Sequence, residues 1–289
     1  MANLKEIRSR ITSVGSTMQI TSAMKMVSAA KLKRAQDAIT QLRPYANKLR
    51  DILENISSTL DSDAGGKLTI EREVKKMLVV VITSNRGLAG AFNSNVFKIA
   101  NALVVENSAK GIETELMTIG KKGFDLMRKS NTIYKNESSL WDNLSYENVA
   151  VIADEVTEKF LAGDYDQVRL VYNSFKNAAT QIVMDEQYLP VQIVKSESGA
   201  AQSVDYIFEP SKEEIVTDLI PQALKTQFFK AILDSNAAEH GARMTAMHKA
   251  TDNAKELRDQ LKLTYNKARQ AAITNEILEI VGGAEALNN

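Results

Sequence analysis

The chain has 289 residues, 44% of them apolar, with four prolines, thirteen glycines and no cysteine. That is room for one or two domains with ordinary cores, and it excludes disulfides, thiolate metal sites and cysteine nucleophiles. Lys plus Arg equal Asp plus Glu at 36 each, yet residues 1–50 hold ten basic and two acidic side chains, and no Lys or Arg follows Arg269.

Leu4 to about Ser58 is expected as one helix, on the order of 80 Å long at 1.5 Å per residue, with Pro44 removing one backbone bond and able to bend it. Ala35, Ala38, Leu42, Tyr45, Leu49, Ile52 and Ile56 alternate at spacings of three and four, a heptad seam. Asp61 to Lys67, with Gly65 and Gly66, is expected as a loop and domain boundary. The basic character runs on past Lys31 into these heptads, which argues against a transit peptide. It leaves a solvated face or a docking face for an acidic partner.

Met77 to Thr83 is a β-branched run of the kind buried on both faces of a parallel sheet. After it come a glycine-containing loop over Ser84–Asn93, a helix over Asn95–Ser108, a strand over Glu115–Ile119 and short helix Lys121–Lys129. The helix Tyr146–Ala162 and strands Gln167–Asn173 and Ile182–Tyr188 follow. The alternation predicts a mostly parallel α/β domain over about 70–195. Residues 196–203 are small and polar. Pro210 and Ser211 open a last helix running to Leu287, with Pro221 able to kink it early. Its seam is Met247, Ala250, Ala254, Leu257, Leu261, Thr264, Ala268, Ala271, Asn275 and Leu278. Neither terminal helix can leave such a stripe in water, but two can bury each other. The expected fold is therefore α/β: a long antiparallel coiled coil of N- and C-terminal helices, residues 1–60 and 211–289, with an inserted Rossmann-like domain at 70–195.

The search for chemistry yields little. Thr83–Asn93 lies where nucleotide folds hold phosphate, but neither a Gly-x-Gly-x-x-Gly nor a Gly-x-x-x-x-Gly-Lys-Ser/Thr pattern occurs. Gly87 and Gly90 are expected to serve tight turns and close packing. His240 and His248 are eight apart, so they do not stack as a ligand pair and read as solvated or packed. Glu276 and Glu279 share a helix face, either as a metal or partner contact or simply solvated. Trp141 reads as a packing anchor. No catalytic residue, metal site or cofactor is expected.

Ile273-Thr274-Asn275-Glu276-Ile277-Leu278-Glu279-Ile280-Val281-Gly282-Gly283-Ala284 resembles the signature of the gamma subunits of F-type ATP synthases. So do Ile7-Arg8-Ser9-Arg10-Ile11, Ile20-Thr21, Ala23 to Val27, Lys31-Leu32, Arg86-Gly87-Leu88, Ala91-Phe92-Asn93, Asp205-Tyr206, Glu209-Pro210, Arg243-Met244, Ala246-Met247 and Ala250 to Ala254. The resemblance spans both ends and the middle, whereas the segment 130–145 and the loop 196–203 match nothing in the family. It implies a central-stalk rotor, a coiled coil inside a ring of three alpha and three beta subunits. The globular domain would sit beside the epsilon subunit on the membrane ring of c subunits, so that proton flow drives the catalytic sites. Nucleotide and Mg²⁺ would belong to alpha and beta, leaving this chain without a cofactor, a nucleic-acid partner or a transmembrane segment. It implies partner contacts at Met24, Lys25, Arg269, Gln270, Thr274, Glu276 and Glu279. It also implies a foot region at Asp205 and Tyr206, and a basic face of Lys31, Lys33 and Arg34 toward acidic beta segments. The place implied is the cytoplasmic face of a bacterial inner membrane; the redox insertion of plastid members is missing with the cysteines. The competing readings are a nucleotide-dependent α/β enzyme with helical arms and a coiled-coil scaffold without a motor.

Overall fold

The computed structural model describes residues 4–57, 68–191 and 212–288. The Asp61–Lys67 and 196–203 loops, Asp205, Tyr206, Glu209, Pro210 and Ser211 lie outside the described residues. Contacts divide the chain into two compact units, one of residues 29–243 and one formed by the stretch up to Ser28 with the stretch from Met244.

In the larger unit the run at 76–82 decides the architecture. β1 (Lys76–Ile82) pairs in parallel with β2 (Glu113–Ile119) on one side and β4 (Gln167–Phe175) on the other. β3 (Ile133–Asn136) adds to β2 in parallel and β5 (Gln181–Leu189) adds to β4 antiparallel, giving the order β3-β2-β1-β4-β5. Successive residues of a strand point to opposite faces, and both faces are covered here. Leu78, Val80 and Ile82 enter one core with Val149, Val156 and Phe160 of α4 (Tyr146–Ala162) and with Leu224, Phe228 and Ile232 of α5 (Lys212–Asn288). Met77, Val79 and Val81 enter the other with Val96 and Ala100 of α2 (Phe92–Ala109) and Met127 of α3 (Lys121–Met127). Full burial of each such side chain contributes about 1.5–3 kcal/mol, which is why this stretch shows no polar alternation. Trp141, in the short 3-10 segment Ser138–Asp142, packs against the first core.

Local signals set α4 closely. Ser145 Oγ accepts from the Asn148 N–H at the start, and Gly163 ends it in the left-handed region at φ 84°. α2 begins three residues earlier than expected, at Phe92, and β3 lies in a stretch where no strand was expected. α1 (Leu4–Ser57) and α5 run as α-helix through Pro44 and Pro221.

The seam of α1 is longer than the sequence reading and is corrected at alternate positions. Leu4, Ile7, Ile11, Val14, Met18, Thr21, Lys25, Ser28, Leu32, Ala35, Ile39, Leu42, Ala46 and Leu49 are all shielded and follow a strict three–four alternation, flanked by partly shielded neighbours such as Met24 and Ala38, with Ile52 one step further on. Ile39 is more deeply buried than Ala38, while Tyr45 points out and Ala46 in. In α5 the shielded set from Met247 onward is Met247, Ala250, Thr251, Ala254, Arg258, Leu261, Tyr265 and Ala268, with Leu257 and Thr264 exposed. Within the smaller unit the helices are antiparallel. Thr251 Oγ1 lies 2.8 Å from Thr21 Oγ1, and Lys25 Nζ lies 3.5 Å from His248 Nδ1. Counted in register from the threonine pair, Leu4 stands opposite Ala268. From Arg269 to Ala284 every α5 residue is exposed, so Ala271, Asn275 and Leu278 continue the seam in sequence only.

Candidate functional site

The carboxyl end of β1 opens into the loop Thr83–Ala91, at the point where the strand order reverses between β1 and β4. In doubly wound folds this is where ligands sit. Thr83 is buried and accepts from the Gly123 N–H at 2.9 Å, and an added Cβ at Gly120 would stand 2.1 Å from the Thr83 carbonyl oxygen. Ser84 Oγ donates to the Arg86 carbonyl at 2.7 Å, and its N–H donates to Asn93 Oδ1 at 3.0 Å. Asn85 Nδ2 donates to the Ser138 carbonyl at 2.9 Å while its Oδ1 accepts from the Lys121 N–H at 2.9 Å. The loop is thus tied to α2, α3 and the 3-10 segment.

Its glycines divide differently from expectation. Gly90 occupies the left-handed region at φ 59°, but the second such residue is the exposed Leu88 at φ 64°. A Cβ at Gly87 would make only an ordinary 3.7 Å contact with Lys122 Cε. Gly87 therefore serves neither a left-handed turn nor a close approach.

The crevice above the loop is filled by α5 itself. Ala238 and Ala242 form an apolar cluster with Ala89 and Phe92, and Phe175 packs on it. A Cβ at Gly241 would meet Ala178 Cα at 3.2 Å. Arg243 and Glu239 form a buried i,i+4 ion pair, and Arg243 Nη2 also donates to the Arg86 carbonyl at 2.9 Å. Asn173, at the end of β4, donates to the Phe92 carbonyl at 3.1 Å, and its Oδ1 is buried without a partner. Burial raises the Glu239 carboxyl above its ordinary range, opposed by Arg243. Burial, reinforced by Arg243 and Lys31, pushes the neighbouring His240 down to about 4. His240 is thus a packed neutral side chain, and His248 an exposed one beside Asp252. No cluster of His, Asp and Glu suited to a metal ion occurs among the described residues. Sequence reasoning missed the Arg243 contact; its signals were the Arg243-Met244 motif and a Glu and an Arg one turn apart, Glu239 and Arg243, among small residues.

The residues singled out from the sequence lie along the two helices. Met24 and Lys25 are partly shielded, and Lys31, Lys33 and Arg34 are exposed, with Lys33 paired to Asp37 at 2.9 Å. Arg269, Gln270, Thr274, Glu276 and Glu279 are all exposed on the bare end of α5; Thr274 Oγ1 donates to the Gln270 carbonyl at 3.0 Å. Thus the sites on this end share one stretch, while Met24 and Lys25 lie on the paired part of α1. No helix among the described residues is long and apolar enough to cross a membrane.

A family model described as ATP synthase matches residues 3–287. The ATP synthase gamma chain of Flavobacterium johnsoniae is 66% identical over 289 residues, covering all of both chains, and that of Cytophaga hutchinsonii is 56% identical, again covering all of both. Among solved structures, the Tetrahymena thermophila mitochondrial ATP synthase central stalk and c-ring matches with TM-score 0.59 at 25% identity, covering 80% of this chain and 99% of that one. The Euglena gracilis mitochondrial ATP synthase rotor matches in fold with TM-score 0.66 at 21% identity, covering 93% and 98%. With its paired terminal helices, inserted α/β domain and full-length matches, the chain belongs to the family of ATP synthase gamma chains, the central-stalk subunits of that enzyme.

Proposed function

We propose that this chain is the rotor of a proton-translocating ATP synthase, coupling proton flow through a membrane ring of c subunits to ATP synthesis or hydrolysis in an alpha/beta ring. The observation that carries the reading is the end of α5. Ile273, Ile277, Leu278, Ile280 and Val281 are exposed on a helix that has no basic residue after Arg269. An apolar helix end left exposed among the described residues fits a surrounding sleeve, and few fixed charges let it turn there. Arg269, Gln270, Thr274, Glu276 and Glu279 contact the ring near this tip; Met24 and Lys25 contact it from α1. Asp205 and Tyr206 belong to the foot, beside an epsilon subunit and the c-ring. The complex would lie on the cytoplasmic face of a bacterial inner membrane, with this chain as a peripheral subunit. Packing of α5 into the β1/β4 crevice supports a mechanical role for the α/β domain over a nucleotide site.

Lys25, Lys31, Lys33 and Arg34 face acidic segments of beta in this reading. Attraction between such surfaces is screened within about 8–10 Å at physiological salt, and each exposed pair contributes about 0.2–1 kcal/mol. The test replaces all four by Gln and measures ATP-driven proton pumping divided by ATP hydrolysis in membrane vesicles. The ratio is expected to fall, with less sensitivity to added salt than in the parent. Single replacements should assemble normally and show a mild loss. An unchanged ratio in the quadruple variant would reduce the basic face to a solvated surface.

A further inference from the structure

The strongest feature outside the regions assigned above is the buried charge at the junction of α5 with the α/β domain. Arg243 and Glu239 are each about 8% exposed. The guanidinium is held on one side by the Glu239 carboxylate and on the other by the carbonyls of Arg86 and Gly87, at 2.9 and 3.4 Å from Nη2. Taking two charges out of water costs several kcal/mol per ion before their attraction is counted. Helix docking alone does not require that cost, because Ala238, Gly241 and Ala242 already bring α5 against Ala89, Phe92, Phe175 and Ala178.

Small apolar contacts resist separation but not sliding, since dispersion and burial are not directional. A charge-assisted fork of hydrogen bonds is directional and weakens steeply when its donors rotate away. The receiving end is also braced. Besides the Ser84, Asn85 and Asn93 bonds, the Lys122 N–H donates to the Ser84 carbonyl at 3.1 Å. A load on Arg243 would pass into the loop and from there into β1, α2 and α3.

We propose that the Glu239–Arg243 pair, seated on the Arg86 and Gly87 carbonyls, is a torque-bearing joint that keeps α5 from turning against the α/β domain. Both are positioning residues, acting through the loop rather than on a reacting atom. The proposal rests on the rotor reading above.

Removing Arg243 alone strands a buried carboxylate, so the decisive variant is Glu239→Leu with Arg243→Met. It deletes both charges while keeping apolar volume, a change that leaves folding close to neutral in other buried pairs. In the assembled complex, ATP hydrolysis by the catalytic sector detached from the membrane stays near the parent's. Proton pumping per ATP in vesicles falls about fivefold, the low end of ordinary coupling effects. The chain has no cysteine of its own, so a second variant adds Ala89→Cys with Ala238→Cys or Ala242→Cys to that background, using the pair that oxidises within the chain. Oxidation restores the pumping ratio and reduction removes it again. An unchanged ratio in the double variant, or a low ratio that the disulfide does not restore, overturns the joint. A parent complex that hydrolyses ATP without pumping overturns the rotor reading and the joint with it.

Discussion

Two apolar stretches of this chain meet opposite fates. Residues 77–82 of β1 are almost wholly removed from water, whereas Ile277, Leu278, Ile280 and Val281 of α5 keep 53–68% of their surface exposed. The difference lies in what the rest of the chain supplies. α2 covers one face of β1, and α4 and α5 cover the other. Past Ala268, α5 has outrun the described part of α1, and its residues 269–284 are exposed. Apolar sequence shows that a stretch needs cover; whether the cover comes from within depends on where the partner element begins.

The contrast can be broken most sharply at glycine. Gly120→Ala puts a Cβ against the Thr83 carbonyl at a φ of 119°, and the expected loss exceeds about 4 kcal/mol; little folded protein should be recovered. Gly282→Ala has open space and reverses the sign, making the helix end more favourable by about 1 kcal/mol. Slower amide exchange over residues 273–284 checks this. Leucine gives the next step. Leu78→Ala should cost about 2–5 kcal/mol and Leu278→Ala less than about 0.5, read by urea unfolding through the fluorescence of Trp141, which packs in the domain core. An equal loss at the two leucines would mean that the helix end is covered after all.

Acid sharpens the same contrast. The folded state holds His240 near pH 4, below the ordinary value of about 6.5. The unfolded chain therefore takes up a proton first, and stability present above pH 6.5 drains as pH falls toward 4. Between pH 7 and 5 the loss is about 2 kcal/mol at 1.36 per pKa unit. Urea midpoints of the parent and of His240→Gln should differ in acid slope by that amount; parallel slopes would remove His240 from the account. The smallest effect is expected at Lys33→Gln, whose pair with Asp37 is exposed; the urea midpoint should hardly move.

What the sequence showed and what it hid follow from range. The β1 run and the Ser145 and Gly163 caps of α4 are local, and those elements fall close to where they are expected. β3 has four residues, two of them Lys135 and Asn136, and becomes a strand only because β2 offers it an edge. The heptads were ambiguous wherever apolar residues stand side by side, as at Ala38–Ile39 and Tyr45–Ala46. In the first thirty residues the seam was masked by polar members such as Thr21, Lys25 and Ser28. Arg258 takes the shielded place expected for Leu257, as a long side chain with an apolar stem and a charged tip can. The Arg243 joint crosses 157 residues, a separation at which no spacing rule operates. Site residues on α5 were legible as a motif, but their common exposure was not.

The threonine pair also fixes axial alignment. A three–four seam looks nearly the same after a shift of one heptad, about 10.5 Å, so apolar contacts alone would tolerate several settings of one helix along the other. Thr21 and Thr251 meet hydroxyl to hydroxyl in only one of them. One heptad either way would set Thr21 against Met244 or Arg258. The pair works as a vernier mark, and it thereby sets how far the end of α5 projects beyond the level of Leu4: residues 269–288, about 30 Å of helix.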